Sequence, residues 1–129
     1  MKKIASIVLI AAAIFVTTGL HAQSIDGVVG GLKSGSAEKV AANAGKNLTL
    51  NVQGKSSTYS KTQAQQIIKD FFSKNSVKGF ELKHKGSSPS GHYAIGTLST
   101  GNGNYRVNIF MKNEGSKEVI KELRFQLIE

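Results

Sequence analysis

The sequence predicts an α+β fold in which helices pack on one face of a curved, mainly antiparallel sheet. Three observations carry that expectation. Helical patterns occupy the first half of the chain after residue 22, interrupted by strand-like alternation around Leu48–Val52. Everything from Val77 to Ile128 reads as β. The breaks between those β segments are short and turn-rich, and a parallel crossover needs a dozen residues or more, so the later strands must be joined as antiparallel hairpins.

Taken in order, Ile25, Val28, Val29 and Leu32 fall at i, i+3, i+4 and i+7, the spacing of a short amphipathic helix. Gly30 and Gly31 each cost that helix about 1 kcal/mol relative to Ala, so packing must hold it, and Gly35 ends it. Ser36 caps a second short helix, Ala37 to Ala44, with Glu38 in its first turn and Gly45 as its stop. Leu48, Leu50 and Val52 then alternate with Thr49, Asn51 and Gln53, a half-buried strand. Gly54 to Tyr59 reads as a turn leading into a short edge strand. Ser60 and Gln63 form a capping box, after which Ala64, Ile67, Ile68, Phe71 and Phe72 make one apolar stripe to about Asn75.

Four strands follow: Val77 to Lys85, His92 to Ser99, Tyr105 to Lys112 and Val119 to Ile128. Matching apolar faces suggests a register, because a one-residue slip turns every side chain over. That matching pairs Phe80 with Thr97, Leu82 with Ile95 and His84 with Tyr93. A three-residue loop at Gly101-Asn102-Gly103 then sets Tyr93, Ile95 and Thr97 opposite Met111, Ile109 and Val107. Leu123 faces Val107 and Phe125 faces Tyr105. Ile120 and Leu123 break strict alternation, which predicts a β-bulge near Lys121. The opposite, outer face carries Glu81, Lys83, His92, Arg106, Asn108, Lys112, Glu122, Arg124 and Gln126 around a flatter apolar centre of Ala94, Gly96, Leu98 and Phe110.

Before this domain, Lys2 and Lys3 precede an uncharged apolar run from Ile4 to Val16, and Ala22 offers a small residue before Gln23. This is the pattern of an export signal, too short in its apolar run to span a bilayer comfortably, although Leu20 is larger than the usual residue at its position. The expected organisation is a signal peptide, residues 1–22, and a single domain, residues 23–129, periplasmic or secreted, with no transmembrane segment once the signal is removed. The chain has no cysteine, which excludes a lipid-anchored lipoprotein and any disulfide staple. Of 17 basic residues, all but Lys2 and Lys3 lie in the domain, against 8 acidic ones, a net charge of +7. The basic residues are dispersed singly from Lys33 to Arg124, which reads as a solvated surface. Export also argues against nucleic acid as the partner.

Helix, helix, strand, helix and a four-strand meander is the element order of the nuclear transport factor 2-like (cystatin-like superfamily) cone. The stretches Ile25-Asp26-Gly27-Val28-Val29, Thr58-Tyr59-Ser60-Lys61, Ile68-Lys69-Asp70-Phe71-Phe72, Gly91-His92-Tyr93-Ala94-Ile95-Gly96 and Asn104-Tyr105-Arg106-Val107 resemble a family of small exported Gram-negative proteins of this fold, itself a domain of unknown function. The resemblance covers essentially all of residues 23–129. It implies the fold and the address, and it lends no catalytic residue.

The wider superfamily includes enzymes resembling ketosteroid isomerase, which need a buried carboxylate base in the pocket between helices and sheet. Here Asp26 opens a helix and Asp70 lies near the solvent edge of another. Glu81 and Glu122 fall on the outer face, while Glu114, Glu118 and Glu129 lie in loops or at the terminus. Acid–base chemistry would therefore rest on His84, with Tyr59, Tyr93 and Tyr105 as hydroxyl partners, and these four are the pocket candidates. A hydrogen-bonded histidine at the sheet rim is the commoner role for His84.

No residue is assigned as catalytic, as a metal ligand or to a cofactor. His84 and His92 fall on opposite faces. Gly101-x-Gly103 precedes a strand rather than a helix, so it is not a phosphate loop. No serine sits in a Gly-x-Ser-x-Gly elbow. Asn47-Leu48-Thr49 is read as a chance glycosylation sequon.

Two function readings follow. The first is a non-catalytic envelope binding or interaction module. It would hold a small apolar ligand in a cavity under the helices, or an envelope protein or second copy on the outer face around Gly96, Leu98, Arg106, Phe110 and Arg124. The alternative is a small isomerase-like or hydrolase-like enzyme using the pocket.

Overall fold

The computed structural model describes residues 23–128, so the expected signal segment lies outside the described residues. Helix α1 spans Gln23–Ser34 and helix α2 spans Ala37–Ala41. The Ser36 hydroxyl accepts from the Lys39 amide at 3.2 Å, as a serine N-cap should. Gly31 is where these helices touch: a Cβ there would lie 2.8 Å from the Val40 backbone nitrogen. The glycine that weakens α1 locally is the one that lets α2 approach it.

α2 stops three residues before the expected end at Ala44. Ala44 instead opens strand β1, Ala44–Val52, paired with Ile120, and the Ile120 amide donates to the Asn43 carbonyl at 2.8 Å. Sheet pairing overrides the helical preference of the alanines. A tight turn with positive φ at Gln53 and Gly54 leads to strand β2, Lys55–Ser60. Helix α3, Lys61–Asn75, begins with the full Ser60/Gln63 capping box and ends at Ser76 in the left-handed conformation. Strands β3 (Val77–Ser88), β4 (Gly91–Thr100), β5 (Gly103–Glu114) and β6 (Lys117–Leu127) complete the chain.

The six strands form one sheet in the order β2-β1-β6-β5-β4-β3, antiparallel throughout except where β1 runs parallel to β6. The three helices cover its concave face. Val28, Leu32, Val40, Ala64, Ile68, Phe71 and Phe72 pack there against Leu48, Leu50, Leu98, Val107, Ile109, Met111, Leu123 and Phe125. Phe71 and Phe125 lie 4.6 Å apart between ring centroids, and Phe72 meets Phe125 edge-on at 6.3 Å. These rings, with Tyr105 and Met111, occupy the space between helix α3 and sheet.

The register of β4 differs from the expectation by one residue. The β4–β5 connection is a two-residue turn at Gly101-Asn102, with Thr100 paired to Gly103, rather than a three-residue loop. Thr100 closes it: its hydroxyl donates to the Gly103 carbonyl at 2.6 Å and accepts the Asn102 amide at 3.1 Å. One residue fewer in the turn reverses the strand, so Ala94, Gly96 and Leu98 pair with Ile109, Val107 and Tyr105 on the core face. Gly96 and Leu98 are therefore buried and absent from the outer face, where Tyr93, Ile95 and Thr97 stand instead. Gly96 is required by its neighbour, since a Cβ at that position would collide with the Phe80 ring.

On β3, Phe80 pairs with Leu98 and Leu82 with Gly96; a register shift after Leu82 then sets His84 against Ile95, on the outer face. His92 moves the other way, to the concave side opposite Met111. In the last hairpin Leu123 faces Ile109 and Phe125 faces Val107, two residues from the expected partners but on the same face. The bulge expected near Lys121 is present, with Phe110 opposite Glu122 and Met111 opposite Ile120.

Candidate functional site

The four pocket candidates do not converge. Tyr105 is buried in the core, its ring edge-on to Phe71 at 5.0 Å. Its hydroxyl donates to Asn75 Oδ1 at 3.1 Å and accepts from Gln53 Nε2 at 3.4 Å. Asn75 Nδ2 in turn donates to the Phe71 carbonyl at 2.8 Å, and Asn102 Nδ2 donates to the Lys74 carbonyl at 2.8 Å. Tyr105 thus belongs to a network that satisfies carbonyls in the last turn of α3 and ties that end to the β4–β5 turn. Tyr59 lies on the edge strand β2 opposite Leu48, half-buried against the core. His84 is exposed on the outer face beside Tyr93, with ring centroids 6.0 Å apart.

Two surfaces remain with functional anatomy. The first is the outer face of the sheet. Half-buried Tyr93, Ile95 and Phe110 form an apolar centre, with a groove of about 260 Å³ running between them and the Glu122 and Arg124 side chains. Charges of both signs rim it: Lys83 pairs with Glu81 at 2.9 Å and Arg124 with Glu122 at 3.4 Å, and Arg106 and Lys112 stand exposed nearby. Asn108 lies in the middle, and its Oδ1 is buried without a hydrogen-bond partner. An acceptor withdrawn from water and left unpaired costs about 1–3 kcal/mol, so the centre of this face carries an unmet demand for a donor. Of the residues expected here from sequence, Arg106, Phe110 and Arg124 are present, and Ile95 was missed. The signal that finds Ile95 is the Gly101-Asn102 pair, a two-residue hairpin turn in its own right.

The second surface is the open end of the cone, a cleft of about 440 Å³ where the first turn of α1 meets the far ends of β3, β4 and β6. Ile25 and Asp26 form the helix side; Lys85, Gly86, Ser87, His92, Tyr93 and Glu118 form the sheet side. Ser87 and His92 are direct cross-strand partners, so both side chains leave the same face. His92 Nδ1 bonds Glu118 Oε2, a carboxylate only one-fifth exposed. With the carboxylate accepting, Nδ1 carries the proton and Nε2 is left as the free ring nitrogen. The register error hid this cleft by assigning His92 to the outer face. Among the described residues no group of three or more His, Cys, Asp or Glu side chains could hold a metal ion. None of the described helices is long and apolar enough to cross a membrane.

Residues 25–126 match the model of a domain of unknown function, DUF4783. A solved DUF4783 protein from Bacteroides ovatus superposes with a TM-score of 0.77 at 36% identity, covering 80% of this chain and 94% of its own. One from Bacteroides uniformis gives 0.77 at 33% identity, covering 81% and 96%. A nuclear transport factor 2-like protein of unknown function from Cytophaga hutchinsonii gives 0.59 at 10% identity, covering 81% and 87%, a likeness of fold alone. None of the curated proteins matches the chain. The fold is the nuclear transport factor 2-like cone, and the chain belongs to the DUF4783 family.

Proposed function

We propose that this protein is an exported, non-catalytic interaction module of the cell envelope that pairs with a second copy of itself through the outer face of its sheet. The observation that carries the reading is the anatomy of that face: an apolar centre of Tyr93, Ile95 and Phe110 inside a rim holding both Glu81 and Glu122 and Lys83, Arg106 and Arg124. A two-fold axis brings the same patch together from both partners, so a patch holding both signs can complement itself. An apolar core within a polar rim is the ordinary composition of a protein interface. The unpaired Asn108 acceptor gains a donor when a second amide or guanidinium docks over it.

The concave side supports no comparable reading for an apolar ligand, because aromatic side chains occupy it. Export is supported by the basic, apolar and small-residue pattern of residues 1–22 and by a family match that begins only at residue 25. Mass measurement of the protein from the envelope or culture fluid should give a chain beginning at Gln23; an intact N-terminus in the cytoplasmic fraction contradicts export. Replacing Phe110 with Glu places two carboxylates against each other across the axis. Small-angle scattering should then report half the mass of the unaltered protein, and an unchanged mass refutes pairing through this face.

A further inference from the structure

We propose that the cleft at the open end of the cone binds a neutral, hydroxyl-rich ligand, a carbohydrate unit. Five polar groups line it without a partner among the described residues: the Asp26 carboxylate, the Lys85 ammonium, the Ser87 hydroxyl, the Tyr93 hydroxyl and His92 Nε2. Glu118 holds the His92 ring in place, so that ring nitrogen is preorganised, and preorganised groups lose less freedom when a ligand docks.

The charges select the ligand class. Asp26 and Glu118 disfavour an anion and Lys85 disfavours a cation, so the mixed lining favours molecules without net charge. Between a zwitterion and a polyol, magnitudes decide. The cleft is open, and ion pairs in contact with water contribute about 0–1 kcal/mol each after the ligand's own charges are desolvated. A neutral hydroxyl surrenders no charge solvation, and its hydrogen bonds to carboxylate and ammonium are of the stronger, charge-assisted kind. Asp26 and His92 Nε2 accept from hydroxyls, Lys85 donates to them, and Ser87 and Tyr93 do either. The Tyr93 ring, laid across Gly86 at the sheet edge, adds an amphipathic surface for the carbon face of a sugar ring. The volume of about 440 Å³ lies within the range of small-molecule sites. This site shares only Tyr93 with the outer-face groove, and its other lining groups do not take part in self-pairing.

The test is a titration of the ¹⁵N-labelled protein with three neutral sugars: glucose, galactose and N-acetylglucosamine. Glucuronate, glucosamine and glutamine serve as the anionic, cationic and zwitterionic counterparts. At least one neutral sugar should shift the amide signals of Gly86, Ser87 and His92, more strongly than any charged probe. Asp26→Ala, on the exposed first turn of α1, should leave the rest of the spectrum in place and weaken that sugar's binding about tenfold. Absence of a shift at these amides with all three neutral sugars overturns the proposal, as does a response to glutamine or a charged probe alone. Shifts confined to the outer face, or binding indifferent to Asp26→Ala, overturn it equally.

Discussion

Strand β4 presents two faces that a count of apolar residues cannot tell apart. Inward stand Ala94, Gly96 and Leu98, two small residues and one leucine, fully enclosed by Phe80, Val107, Ile109 and Tyr105. Outward stand Tyr93, Ile95 and Thr97, larger yet only half-buried. The bulkier set is the one left at the surface. The inner face is small where helices and aromatic rings already fill the concavity, and the outer face is large where nothing in the monomer covers it. Apolar side chains that the core does not need are better accounted for by a second surface, and that is the physical basis of the self-pairing reading.

Leu98→Ala opens a cavity in an enclosed site and should destabilise the domain by about 2–5 kcal/mol in urea denaturation. A loss below 1 kcal/mol would mean that Leu98 is not packed inward. Gly96→Val forces a side chain into the Phe80 ring and should cost about 1–3 kcal/mol by the same measurement, whereas wild-type stability would reverse the assignment of face. Tyr105→Phe keeps the ring and removes only the hydroxyl shared with Asn75 and Gln53, an expected loss of about 1 kcal/mol. Ile95→Ala sharpens the contrast further. In dilute protein it should change stability by less than about 0.5 kcal/mol, as an ordinary surface substitution does. At high concentration it should cost more, because pairing stabilises the folded state by mass action. A loss independent of concentration would place Ile95 in the monomer's own core.

Most of the fold was legible in the sequence because it is written in local chemistry. The Ser60/Gln63 capping box, the Ala64–Phe72 stripe and the bulge at Lys121 each follow from a spacing that admits one structural solution. The error in β4 arose where two solutions competed. Ala94, Gly96 and Leu98 on one face and the bulkier Tyr93, Ile95 and Thr97 on the other both offer an apolar match to Met111, Ile109 and Val107. Two facts decide it, one tertiary and one local: the volume already taken by Phe71, Phe72, Phe80 and Phe125, and a two-residue turn at Gly101-Asn102 closed by the Thr100 hydroxyl. Because side chains alternate, that one residue carried Gly96 and Leu98 into the core, sent His84 outward with the bulge on β3, and brought His92 within reach of Glu118. The shortened α2 has the same origin, a pairing between Ala44 and Ile120 that no local pattern announces.

Because the chain has no cysteine, self-pairing through the outer face can be trapped at a single introduced thiol. Ile95→Cys places a unique thiol at the centre of the outer face, and Ser57→Cys on the edge strand β2 is its control. With a short bifunctional thiol-reactive crosslinker, the position 95 protein should run as a covalent dimer on denaturing gels and the position 57 protein as a monomer. A position 95 protein that stays monomeric while its thiol reacts freely with a monofunctional reagent would show an outer face open to solvent, and would contradict the account.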